Sequence, residues 1–146
     1  MHTKHRFKNE KRFTAALQTP DFLTLPEVLA LHDDQISRFG GTSGIRDVGL
    51  LESALAQPQA SFSGELLHPT IYEQAAAYLY HLAMNHPFLD GNKRTAFAVM
   101  DAFLRLNGYR LNLSNDQAYQ LVLEVVQKTV SKEALSDRLA ETVTST

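Results

Sequence analysis

Apolar positions recur every three or four residues through most of the chain, and that spacing predicts helices. Leu25, Val28, Leu29, His32, Ile36 and Phe39 share one face of a first helix. Thr24 and Glu27 form a capping box at its start, Pro26 sits in the tolerated first turn, and Gly40–Gly41 ends it. His32 on that apolar face reads as a satisfied core histidine rather than a ligand. Asp47 is placed to cap a second helix, running to Gln57 and stopped by Pro58. Residues 58–69 carry no helical period and read as an irregular segment with a short extended piece. Thr70 and Glu73 form a second capping box, ahead of a helix over 71–85 that is apolar on most sides and therefore central. Its Ala75-Ala76-Ala77 run permits close helix contacts, and Tyr78, Tyr80 and His81 are its polar-tipped members. A fourth helix follows to residue 106, with Ala98, Met100, Phe103, Leu104 and Leu106 as core, and stops at Asn107-Gly108. Residues 109–113 alternate and predict a short extended stretch. Ser114 with Gln117 caps a helix to Lys128, and Ser131 starts the last one, ending near Val143. The sum is an all-α domain of about six helices with little strand.

Composition narrows the class. The 146 residues suit one domain with a single core, and 44% hydrophobic with 21% charged residues is ordinary for a folded protein. The absence of cysteine excludes disulfides and thiol nucleophiles and fits a reducing, cytoplasmic setting. No apolar run approaches the ~18 residues of a membrane span, and the charged start is not followed by the apolar stretch of a secretory signal. A net charge of −2 argues against a global nucleic-acid footprint. Residues 1–20 differ: five cations against Glu10 leave +4, so the rest carries −6. This basic segment reads as a flexible or weakly helical extension to a domain spanning 21–146, with an arm for RNA or an acidic partner as the other reading.

The concentrated chemistry lies at 86–94, His-Pro-Phe-Leu-Asp-Gly-Asn-Lys-Arg. The helix that follows starts near Gly91–Asn92 with Asp90 as its N-cap. The first N–H groups of a helix lack internal partners, and the dipole leaves positive charge there. With Lys93 and Arg94 added, and a glycine allowing close backbone approach, this is an anion site suited to phosphate. Asp90 beside a polyphosphate suits Mg²⁺, which takes one or two carboxylates plus phosphate oxygens. An imidazole, with an ordinary pKa near ~6.5, suits a general base, which gives His86 that role. Base, metal carboxylate and phosphate cradle are the parts of phosphoryl or nucleotidyl transfer. Each residue also has a plainer role: Asp90 as cap only, Asn92 as turn residue, Lys93 and Arg94 as solvated charges. Phe88 is core in either case and anchors the loop. A P-loop pattern, a G-x-S-x-G nucleophile and H-E-x-x-H metal spacing are all absent.

The stretch resembles the Fic/Doc signature H-P-F-x-[D/E]-G-N-[G/K]-R, matched by His86, Pro87, Phe88, Asp90, Gly91, Asn92, Lys93 and Arg94. Phe22-Leu23-Thr24-Leu25, Leu31-His32-Asp33 and the block from Gly44 to Ala56 resemble the Doc, or death-on-curing, branch. The resemblance runs from about Phe22 to about Val143. It implies a helical Fic fold in which His86 activates a target hydroxyl, Asp90 binds Mg²⁺, and Gly91, Asn92, Lys93 and Arg94 hold the phosphates of ATP. Lys93 in place of a second glycine, and Phe97 in place of a second arginine, are Doc-like. They imply transfer of the γ-phosphoryl group, with AMP transfer as the alternative. By position, residues 58–69 resemble the family's flap, with Ser61, Phe62, Ser63, Gly64 and Glu65 holding the target peptide. The resemblance implies a toxin restrained by a separate small antitoxin, because the [S/T]-x-x-x-E-[G/N] self-inhibitory motif is absent. Elongation factor Tu is the target it suggests. Met84 stands where an arginine occurs in the branch, and keeps a catalytically silent binding module as a competing reading.

Overall fold

The computed structural model describes residues 20–146. The basic segment expected over 1–20 lies, Pro20 aside, outside the described residues. Six α-helices are found among the described residues: α1 (Leu25–Phe39), α2 (Val48–Ala56), α3 (Ile71–Asn85), α4 (Asn92–Leu106), α5 (Asn115–Val126) and α6 (Lys132–Thr142). A 3₁₀ turn (Gln57–Gln59) follows α2 directly. Two small antiparallel pairs complete the fold, β1 (Ser61–Phe62) with β2 (Glu65–Leu66) and β3 (Tyr109–Leu111) with β4 (Val143–Ser145). The all-α expectation holds.

Helix starts follow local chemistry. The Thr24 hydroxyl accepts from Glu27 N while Glu27 Oε1 accepts from Thr24 N, and Ser114 with Gln117 repeats the reciprocal box. Asp47 and Ser131 cap α2 and α6 by accepting from Leu50 N and Ala134 N. The Thr70 hydroxyl accepts from Glu73 N and donates to Glu73 Oε1.

Helix α3 is the axis of the core. Ala75, Ala76, Ala77, Tyr78 and Leu79 have no exposed surface, and α4, α6, α2 and α5 all pack on this helix. The alanines let neighbouring backbones approach, while Phe103, Met100, Leu135 and Leu139 fill the space between helices. Tyr78 Oη accepts from Leu23 N at 3.0 Å, and burial pushes its hydroxyl up to about 12.

The second helix ends at Ala56 with Gln57 as its C-cap, ahead of Pro58 as expected, and Pro58 enters the 3₁₀ turn that follows, where its missing N–H costs little. Two expectations are corrected. Leu106, the last residue of α4, is exposed, and Ala98 is only half-buried because it lies at the margin of the face that Ala96, Val99, Met100 and Phe103 bury. The chain end is not only helical: β4 returns to pair with β3, aligning Tyr109 with Ser145 and Leu111 with Val143.

Candidate active site

The site is built on the turn between α3 and α4. Helix α3 ends at His86, which takes a left-handed conformation (φ 48°, ψ 55°). That backbone costs a non-glycine residue roughly 1–2 kcal/mol, so its surroundings must hold it there. The segment between α1 and α2 does so. Arg46 N and Asp47 N both donate to the Pro87 carbonyl (2.7 and 3.1 Å), and Leu89 N donates to the Gly44 carbonyl (3.0 Å). Arg46 Nε donates to the His86 carbonyl (2.7 Å) and Arg46 Nη2 to the Asn85 carbonyl (2.9 Å). A β-bridge joins Ile45 to Phe88.

Phe88 anchors the turn as its apolar character suggests. It is 1% exposed and stacks on the His32 ring, with centroids 3.9 Å apart and planes 7° apart. His32 Nε2 in turn donates to the Asp90 carbonyl at 2.9 Å. Its buried position on α1 is therefore a satisfied one, as the helical periodicity indicates.

Asp90 is not the N-cap of α4. Gly91 occupies that position (φ 72°, ψ 21°) without a side-chain bond. The Asp90 carboxylate is drawn instead to Gly91 N (2.9 Å) and, across the fold, to Thr42 N (3.2 Å). Those two backbone donors, then Arg94 and His32, hold the carboxyl below its usual range. Two glycines make this packing possible. A Cβ on Gly41 (φ 120°) would fall 2.8 Å from Asp90 Oδ2, and one on Gly91 would meet Ile36 Cδ1 at 3.1 Å.

The four residues expected at phosphates divide by what they do here. Gly91 N–H is taken by the Asp90 carboxylate, so the N–H groups on offer are those of the first turn of α4, and Lys93 is exposed. Arg94 is half-buried, with Nη2 donating to the Gly40 carbonyl at 3.1 Å and its guanidinium 5.4 Å from the Phe39 ring centroid. Asn92 clamps the turn: its Oδ1 accepts from Phe88 N (2.9 Å) and its Nδ2 donates to the Phe88 carbonyl (3.0 Å). His86, Asp90 and Lys93 are all exposed. Beside Lys93 and Arg94 a groove of about 380 Å³, lined also by Phe39, Phe97, Tyr119 and Val122, separates α1, α4 and α5. That volume is in the range of small-ligand sites.

No group of three or more metal-ligating side chains occurs among the described residues. The donor set of a lone carboxylate beside a helix N-terminus fits Mg²⁺ held jointly with phosphate oxygens, not a protein-only cage. Met84 is half-buried and packs against the core. Residues 61–66 form the expected extended piece as a hairpin. Ser63 and Gly64 both have positive φ (53° and 80°), the two-residue turn that matches strand twist. Sequence reasoning gave the segment 40–47 a helix stop, a helix cap and part of a family-like block, but not its role in holding the turn. Its one signal was density: three glycines, an arginine and a capping aspartate within eight residues.

The sequence matches the Fic/DOC family over residues 22–104. It is 41% identical to Toxin Doc of Mycolicibacterium smegmatis over 104 residues, covering 70% of this chain and 80% of that one. It is 36% identical to Protein kinase doc of Escherichia phage P1 over 113 residues, covering 77% and 88%. The fold superposes on BepC, a VirB-translocated Bartonella effector from Bartonella tribocorum crystallised with AMPPNP. The TM-score is 0.54 at 14% identity, over 97% of this chain and 87% of that one, a likeness of fold alone. No helix among the described residues is long and apolar enough to cross a membrane. With the signature turn formed as one unit and relatives on the Doc side, this chain belongs to the Fic/DOC family.

Proposed function

We propose that this protein is a Doc-like toxin that transfers the γ-phosphoryl group of ATP to a hydroxyl of a protein target, with elongation factor Tu as the first candidate. The observation that carries the reading is the joint presentation of an exposed His86, an exposed Asp90 carboxylate and the N-terminus of α4 on one rigid turn. His86 takes the proton of the target hydroxyl as its oxygen attacks the γ-phosphorus, and ADP leaves. The backbone N–H groups at the start of α4, with Lys93 and Arg94, bind and orient the phosphates. Asp90 would hold Mg²⁺, which supplies charge neutralisation at the phosphates when bound. The exposed hairpin 61–66 offers strand edges to an extended target segment. The name of the phage P1 relative, a protein kinase, supports phosphoryl over AMP transfer, as does Lys93 in place of glycine. A small antitoxin partner and a cytoplasmic site of action follow from the same reading.

The test is to incubate the purified protein with Mg²⁺, ATP and elongation factor Tu and to weigh the factor intact. Gain of one phosphoryl group, abolished by His86→Ala, is expected. Gain of AMP would replace phosphoryl transfer by adenylylation. An unchanged mass for the factor and for all proteins of a lysate would leave a silent binding module.

A further inference from the structure

The end of α3 departs from the usual way in which a helix stops. A helix that closes on a left-handed residue commonly uses glycine there, and backbone N–H groups of the next residues return to its last free carbonyls. Here the left-handed residue is His86, which carries a Cβ, and the next residue is Pro87, which has no N–H to return. A residue before proline is moreover biased towards extended backbone. Neither local sequence nor helix geometry therefore keeps His86 where it is.

The donors come from one side chain far away in sequence. Arg46 Nε and Nη2 take the carbonyls of His86 (2.7 Å) and Asn85 (2.9 Å), and its own N–H takes that of Pro87 (2.7 Å). Two consecutive carbonyls, those of Asn85 and His86, thus depend on the Arg46 side chain, while that of Pro87 is held by the backbone N–H groups of Arg46 and Asp47. Asn85 Nδ2 closes the arrangement on the Leu50 carbonyl at 3.0 Å, tying the end of α3 to α2. Arg46 is exposed, yet its guanidinium is engaged with backbone carbonyls, and no carboxylate pairs with it among the described residues. The planar fork suits this task because two N–H groups leave it at a set spacing; a lysine ammonium on a flexible stem does not reproduce that.

We propose that Arg46 is a positioning residue for His86: it substitutes for the missing glycine-type cap, keeps the histidine backbone left-handed, and so sets where the imidazole is delivered. The consequence for transfer rests on the function proposed above; the geometry does not. Arg46 acts through His86, so its loss is a loss of turnover rather than of nucleotide affinity.

Arg46→Ala and Arg46→Lys are made in the full chain, and folding is checked by thermal melting. Two readouts follow. The first is the NMR of His86 without nucleotide, using its Cα shift and its amide–Hα coupling. Both variants are expected to leave the left-handed values of the wild type, the alanine variant further. The second is transfer to the target. kcat is expected to fall on the order of 10²-fold, the cost of a displaced catalytic group, with the Kd for ATP unchanged. Free guanidinium ion at low millimolar concentration is expected to restore part of kcat in Arg46→Ala. Unchanged His86 signals in either folded variant would overturn the proposal. A fall in ATP affinity matching the fall in kcat would overturn it as well. A wild type that transfers nothing refutes the proposed function, and the His86 signals still decide the role of Arg46.

Discussion

The turn 86–94 and the hairpin 61–66 are both short and both irregular by sequence, yet they are held in opposite ways. In the turn, Phe88 N–H and C=O both bond to Asn92, the Pro87 carbonyl takes two donors, and Asp90 uses its carbonyl and both carboxylate oxygens. Phe88 beneath it is fully buried. In the hairpin every residue is exposed, Phe62 by 74%, and the ladder is two residue pairs extended by a Leu67 N to Ala60 carbonyl bond of 2.9 Å. The difference fits what each would do under the function proposed above. A base and a phosphate cradle misplaced by 1 Å lose rate on the order of 10²-fold, so their backbone is over-determined. A strand edge that receives an extended peptide gains from remaining unpaired and adjustable.

The largest test of that contrast is Phe88→Ala. Removing a fully buried ring should cost about 3–5 kcal/mol of stability, measured by urea denaturation, and activity should vanish with it. A loss under ~1 kcal/mol would mean the turn does not depend on its anchor.

Asn92→Ala comes next. It leaves the N–H and C=O of Phe88 without their partner, at about 1–3 kcal/mol for the buried groups. Hydrogen exchange at the Phe88 amide should accelerate. If stability holds and only ATP binding falls, Asn92 serves phosphate more than the turn.

The root of the hairpin offers a pH test. His68, at its base, is buried, and its carbonyl accepts from Gln74 Nε2 at 2.9 Å. Nearby, Lys132 Nζ donates to His81 Nε2 at 3.1 Å. Burial, then the Lys132 charge and His68, pushes the His81 imidazole down to about 4. Burial first, then Lys132, lowers His68 as well. An unfolded histidine titrates near ~6.5, so on acidification the unfolded chain takes up these protons first. Stability from this cluster is complete above pH ~6.5, falls as pH drops towards 4, and levels off below. Because His81 is only half-buried, its share is about 1–2 kcal/mol. Denaturation midpoints at pH 7 and 4.5 should differ accordingly, and His81→Gln should reduce the difference. An equal difference in the variant would place the titration elsewhere.

The smallest effect on stability belongs to Phe62→Ser. An exposed side chain on a two-residue strand should change stability by less than ~0.5 kcal/mol, while KM for the protein target rises and the Kd for ATP stays the same. A stability loss as large as that of Asn92→Ala would remove the distinction between the two regions.

Helix starts, helix stops and the central place of α3 were legible in the chain because each is written within a few residues. A hydroxyl three positions before Glu or Gln caps a helix wherever it sits, and an alanine-rich apolar run seeks the middle of a bundle. The hairpin was legible only as an extended piece, although Ser63-Gly64 between Phe62 and Glu65 carried the turn signal. The concentration of His86, Asp90, Lys93 and Arg94, on which the proposed function rests, is local in the same way. Tertiary structure decided what holds them. Asp90 caps no helix because Thr42, 48 residues earlier, competes for its carboxylate. His86 is left-handed under Arg46, 40 residues away. The strand at the chain end exists because β3 waits for it. Periodicity records which face of a helix is buried. It does not record which distant carbonyl a donor will meet, since that choice is made only when the helices close on one another.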